Sequence, residues 1–136
     1  RLETDLELWF NKRRRNPIKF FRIHSSGDFD GNIEYALMWK RIARRHPGIK
    51  FLAFTKDWNV VRALINFPTP NLEIVLSGWT GMTIPEDLKE HYRCAYCVED
   101  GCTPPEGAFH CPGNCDSCGM CWNLSELGID TYFDKH

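Results

Sequence analysis

The first 93 residues of this 136-residue chain contain no cysteine; all seven thiols fall between Cys94 and Cys121. An odd number crowded into one fifth of the chain, with no secretory leader ahead of it, argues against a disulfide framework and points to a reducing, cytoplasmic setting. No apolar run is long enough to span a bilayer as a helix, so a membrane role is not expected. Neither standard glycine-rich phosphate loop is present, nor a His-Glu-x-x-His pair, nor Ser, His and Asp in a hydrolase order. Hydrolytic chemistry is therefore set aside. Internal repeats and low-complexity tracts are also missing. With 43% hydrophobic and 13% aromatic residues, the chain can bury one core without needing a metal merely to fold, and a single domain over 1–136 is expected. It opens on Arg1 rather than Met, so the expectation is that it starts inside a longer natural chain.

The net charge of −1 hides a strong asymmetry. Residues 1–56 carry 13 Lys/Arg against 6 Asp/Glu, and residues 57–136 carry 4 against 12. Lys12 to Arg15 and Lys40, Arg41, Arg44 and Arg45 concentrate the positive part, which suits phosphate groups or an acidic protein. Cations on solvated helix ends, complementing the helix dipole, are the simpler reading of the same residues.

Leu2, Leu6, Trp9 and Phe10 recur at helical spacing until Asn16-Pro17 ends the pattern. Ile18 to His24 then reads as a strand, closed by the turn-forming Ser25-Ser26-Gly27-Asp28. Asp30 is the expected cap of a helix carrying Ile33, Ala36, Leu37, Trp39, Ile42 and Ala43, stopped by Pro47-Gly48. The unit repeats: a strand over Ile49 to Phe54, Asp57 as cap, a helical stripe of Val60, Val61, Leu64 and Ile65, and a strand over Leu72 to Leu76. A short helix from Pro85 to His91, a strand over Arg93 to Val98 and a last strand over Ile129 to Phe133 complete the pattern. This alternation predicts a three-layer α/β fold: a parallel sheet of about four to five strands, a partial barrel or an open sheet.

Parallel α/β sheets gather ligands where the carboxyl ends of the strands emerge. Those ends are polar here: His24, Ser25, Ser26, Gly27 and Asp28; Thr55 and Lys56; Ser77, Gly78 and Trp79; then Cys97, which leads into a cysteine-rich loop over 94–122. Individually these residues read as turn formers, caps and solvated groups; on one rim they make a candidate cleft. Two ligand pairings compete in the loop. Cys94-x2-Cys97 and Cys115-x2-Cys118, separated by 17 residues, have the spacing of a zinc ribbon. Cys111-x3-Cys115-x2-Cys118-x2-Cys121 is dense enough for a 4Fe-4S cluster, with Cys102 and His110 as spare ligands.

The segments Phe21 to Phe29, Phe54-Thr55-Lys56, Pro70-Asn71, Cys111-Pro112 and Cys118 to Trp122 resemble the phage "gene product 88" family of uncharacterised proteins. The resemblance runs from about Phe20 onward. It implies a bacterial or phage-infected host cytoplasm, and that Cys111, Cys115, Cys118 and Cys121 are the metal ligands, with Cys94, Cys97 and Cys102 departing from the pattern. A more distant similarity is to radical S-adenosylmethionine enzymes, whose strand-end segments Ser26-Gly27-Asp28-Phe29 and Thr55-Lys56-Asp57 resemble here. It implies a cofactor edge of Ser25, Ser26, Gly27, Asp28, Thr55 and Lys56, although that superfamily places its Cys-x3-Cys-x2-Cys after the first strand. Two function classes are thus expected. One is an iron-sulfur protein, a radical-SAM-like enzyme or a remnant of one. The other is a zinc-stabilised module that contacts nucleic acid or an acidic protein through its basic amino-terminal half. Substrate, oligomeric state and host process are not legible in the sequence.

Overall fold

The computed structural model of the chain describes residues 1–23, 28–66, 68–79, 83–98, 103–111 and 120–134. Helix α1 covers Leu2–Asn11, and Lys12 leaves it in an extended conformation, φ −62° and ψ 132°. Strand β1 is short, Phe20–Arg22. Helix α2, Ile33–Arg45, starts at Asn32, whose side chain accepts the Tyr35 N–H at 3.0 Å. The cap is therefore Asn32 and not the expected Asp30. Asp30 and Gly31 have φ of 55° and 73°, a left-handed turn that carries the chain into the helix and suits glycine at its second position.

Strand β2 (Lys50–Thr55) leads to α3 (Trp58–Leu64), which Asp57 caps as expected by accepting the Val60 N–H at 3.2 Å. Then come β3 (Leu72–Trp79), α4 (Glu86–Lys89), β4 (Arg93–Val98), β5 (Phe109–His110), a 3-10 turn over Met120–Asn123, α5 (Leu124–Leu127) and β6 (Thr131–Asp134). Asn71 ties the α2–β2 corner together. Its side-chain nitrogen lies 2.7, 3.0 and 2.9 Å from the carbonyl oxygens of Ala43, His46 and Ile49, adding to the backbone N–H bonds that Ala43 and His46 already accept from His46 and Ile49.

The sheet order is β1-β2-β3-β4-β6-β5 with every neighbouring pair parallel, an open, curled half-barrel. Its six described strands exceed the four to five expected. The addition is β5, two residues inside the cysteine-rich segment that pair with Thr131 and Tyr132. Two residues are too few for a period-2 signal.

From β1 to β4 each crossover steps one strand in the same direction, which places the helices on one side of the sheet. Side-chain alternation divides the core accordingly. On the outer face Phe51, Ala53, Ile74, Leu76 and Cys94 meet Phe10 of α1, Trp39 and Ile42 of α2, Val60 and Leu64 of α3 and Leu88 of α4. On the inner face Leu52, Val75 and Ala95 pack with Leu124, joined by Phe54, Met120, Cys121, Trp122 and Phe133. Phe51 and Leu52, neighbours on opposite faces, are each 0% exposed, and burying such side chains is worth about 2 kcal/mol apiece. No helix among the described residues is long and apolar enough to cross a membrane.

Candidate functional site

The carboxyl rim is organised by Asp28. One carboxylate oxygen accepts the Phe29 N–H at 2.7 Å and the Thr55 hydroxyl, and the other accepts the Lys56 N–H at 2.8 Å. The Thr55 oxygen in turn accepts the Asp57 N–H at 2.9 Å, and Asp57 accepts the Gly31 N–H. Thr55 is buried, so the chain Asp28–Thr55–Asp57 locks the segment after β1 onto the end of β2. Asp28 therefore acts as a bracket between two strand ends, with its acceptor capacity directed at backbone and hydroxyl donors. Asp28 and Lys56 share a cavity of about 400 Å³, whose other polar walls include Asp30, Asp57, Asn59 and Arg62. Ser25, Ser26 and Gly27 lie outside the described residues.

On the inner face, Lys56 Nζ donates to Ser77 Oγ at 3.4 Å, and the Arg22 guanidinium sits 4.7 Å from the Phe54 ring centroid. The register pairs Ser77 with Ala95, and Cys97 lies two residues further along the same face of β4. Arg22, Lys56, Ser77 and Cys97 thus occupy the carboxyl half of one face.

The two cysteines of the first Cys-x2-Cys pair do not meet. Residues i and i+3 of a strand point to opposite faces. Cys94 is 1% exposed within the outer core, whereas Cys97 shares the inner register with Phe133. Burial pushes the Cys94 thiol up from its ordinary pKa, against a hydrogen bond with Tyr96 that acts the other way. Tyr96 is pushed up as well, first by burial and then by that same bond. Cys94 is a small apolar core residue in its surroundings.

The later cysteines are placed differently. Cys111 follows β5, and its N–H donates to the Tyr132 carbonyl at 2.7 Å, extending the pairing with β6. Cys121 lies in the 3-10 turn and packs against the inner cluster. The turn and α5 are fastened across the amino ends of the strands: Trp122 Nε1 donates to the Phe21 carbonyl at 3.4 Å, the Ser125 N–H donates to Glu73, and Lys50 pairs with Glu126 at 3.8 Å. His110 stacks on Tyr132, 4.7 Å between centroids and 7° between planes. Cys102, Cys115 and Cys118 lie outside the described residues, and among the described residues no three His, Cys, Asp or Glu groups gather into a metal site. Sequence reasoning missed the inner-face position of Cys97 and Cys121. Strand parity gives the first; the second depends on a turn with no periodic signal.

Part of the basic half is committed internally. Arg41 and Arg45 of α2 bond Glu3 of α1 at 2.7 and 2.8 Å, Arg45 also reaches Glu7 at 3.2 Å, and His46 meets Glu7 at 2.8 Å. Hydrogen bonds from Arg41 and Arg45 hold the Glu3 carboxyl down at about 2.

A family model described as Gene product 88 matches residues 1–124, which takes in strands β1 to β5 and all seven cysteines and ends before β6. No curated protein matches the chain, and no solved structure does.

Proposed function

The chain belongs to the Gene product 88 family, and on that premise we propose that it holds a cysteine-ligated metal centre, a 4Fe-4S cluster, on the inner side of the half-barrel. Cys111, Cys115, Cys118 and Cys121 are the proposed ligands. The observation that carries this reading is that both ends of the run are fixed to the same sheet, Cys111 through its backbone bond to β6 and Cys121 by packing on the inner cluster. Anchoring the ends reduces the ordering cost of bringing four thiolates to one centre. The donor set fits the group, since closely spaced thiolates are what iron-sulfur clusters and zinc take. When bound, a cluster supplies one-electron transfer. The chain's own residues supply the walls: Phe54, Phe133 and Trp122 exclude water, and Arg22 and Lys56 bring positive charge to the same face, which offsets the negative charge of a thiolate-ligated cluster.

In the radical-SAM-like version of this reading, the nucleoside edge is Ser25, Ser26, Gly27, Asp28, Thr55 and Lys56. Asp28 positions that edge, its oxygens being engaged by Phe29, Thr55 and Lys56. The zinc-ribbon pairing is less well supported, because it needs the Cys94 and Cys97 thiols on one side of the strand.

The test is Cys111→Ser and Cys121→Ser, alone and together, with metal and acid-labile sulfide measured on anaerobically purified protein. Each single variant is expected to lose most of its iron and the double variant all of it. Undiminished metal in the double variant contradicts the ligand set, and zinc without sulfide in the unaltered protein replaces the cluster by a mononuclear site.

A further inference from the structure

A second cavity lies far from the rim, at the amino edge of the sheet, where the end of α1 meets the α2–β2 turn. It measures about 560 Å³, and every ionisable residue that lines it is basic: Lys12, Arg13, Arg14, Arg45 and His46. We propose that this cavity binds the phosphates of single-stranded nucleic acid, with the Trp9–Arg14 stack beside it receiving a base. The proposal is independent of the metal centre.

Chain geometry explains why the cations converge. Lys12 turns out of α1 in an extended conformation, so Lys12, Arg13 and Arg14 peel away from the helix and cross toward Pro47 and Gly48. Arg14 is fixed, donating to the Lys12 and Trp9 carbonyls at 3.1 and 2.7 Å, with its guanidinium 4.3 Å from the Trp9 ring. Trp9 is nevertheless 44% exposed. The nearest carboxylates, Glu3 and Glu7, are engaged by Arg41, Arg45 and His46 and so are largely compensated before a ligand arrives. Lys12 and Arg13 form no ion pair among the described residues and supply the charge a phosphate meets.

Cations in a concavity beside an exposed indole and guanidinium combine the two elements of single-strand binding, a charged groove and a flat stacking surface. An anionic membrane is the competing partner, because Leu2 and Leu8 on α1 are 53% and 68% exposed. A concave basic wall favours a strand that enters it over a planar surface.

The experiment is fluorescence anisotropy of the full chain with labelled dT and U oligonucleotides of about 12 residues at about 50 mM salt, where phosphate contacts weigh most. Saturable binding is expected. Lys12→Ala/Arg13→Ala should weaken it at least about tenfold and make the log–log salt slope shallower by about 1.4, two phosphate contacts at about 0.7 each. Lys89→Ala, in the acidic half, should leave both unchanged. Both positions of the double variant are exposed, so its fold is expected to persist and circular dichroism checks this. No binding, binding indifferent to Lys12 and Arg13, or tighter binding to phosphatidylserine vesicles or polyglutamate than to the oligonucleotides would overturn the proposal.

Discussion

Replacing Asp28 by Ala removes the acceptor that joins the β1 and β2 strand ends. The Thr55 hydroxyl, on a residue 1% exposed, loses its bond to the carboxylate, and so does the part-buried Phe29 N–H. The Lys56 N–H, on the exposed side, regains water. Hydrogen bonds to a charged acceptor are worth about 1.5–3 kcal/mol each, so two part-buried losses at the low end of that range set the cost at about 3 kcal/mol. For a chain of this size that is a fall in Tm of about 10 °C. Asp28→Asn should lose less, about 1–2 kcal/mol, because one carbonyl oxygen remains while the amide nitrogen turns a donor toward a donor. Urea denaturation should show the midpoint moving with an unchanged slope. Thr55→Val should couple with Asp28→Ala by about 1 kcal/mol in a double-mutant cycle, since each removes the other's partner. An Asp28→Ala protein within about 0.5 kcal/mol of the parent would refute the bracket role, as would additivity of the two changes.

Cys94→Ser buries a hydroxyl in the outer core and should cost about 2 kcal/mol in thermal unfolding, yet leave bound metal unchanged because the thiol faces away from the inner side. Asn71→Ala withdraws the donor shared by three carbonyls and should cost about 2 kcal/mol, with amide exchange accelerating first in the last turn of α2. The Glu3 pairs should give an acid-labile contribution: a carboxyl lowered from 4.5 to about 2 stabilises fully above about 4.5 and loses that contribution as pH falls through about 2. The stability gap between the parent and Glu3→Gln should therefore close over that window, and a constant gap would contradict it.

Much of this architecture was legible from strand and helix periods. Arg93–Val98 coincides with the expected strand, and Asp57 caps α3 as its position before Val60 and Val61 implied. At α2 two acidic or amide residues compete for the cap, and the positive φ of Asp30 and Gly31 passes the role to Asn32, which composition alone does not decide. Strand β5 was illegible because two residues carry no period, and the turn at Met120–Asn123 because its place depends on distant partners, Phe21 and Glu73. The Cys-x2-Cys spacing at Cys94 suggested a shared ion. Read with the strand that contains it, the same spacing sends the thiols to opposite faces. The positive charge of the first 56 residues was visible, but not that Glu3 and Glu7 would engage Arg41 and Arg45 while Lys12 and Arg13 line a cavity.

The central claim is that Cys111, Cys115, Cys118 and Cys121 hold an iron-sulfur cluster. Visible absorption of the protein purified without oxygen, with iron and sulfide counted per chain, tests it most directly. A brown protein with a broad charge-transfer band, about four iron and four sulfide per chain, bleaching on reduction, is the predicted result. A colourless protein without sulfide, folded equally well in the presence of a chelator, would contradict it.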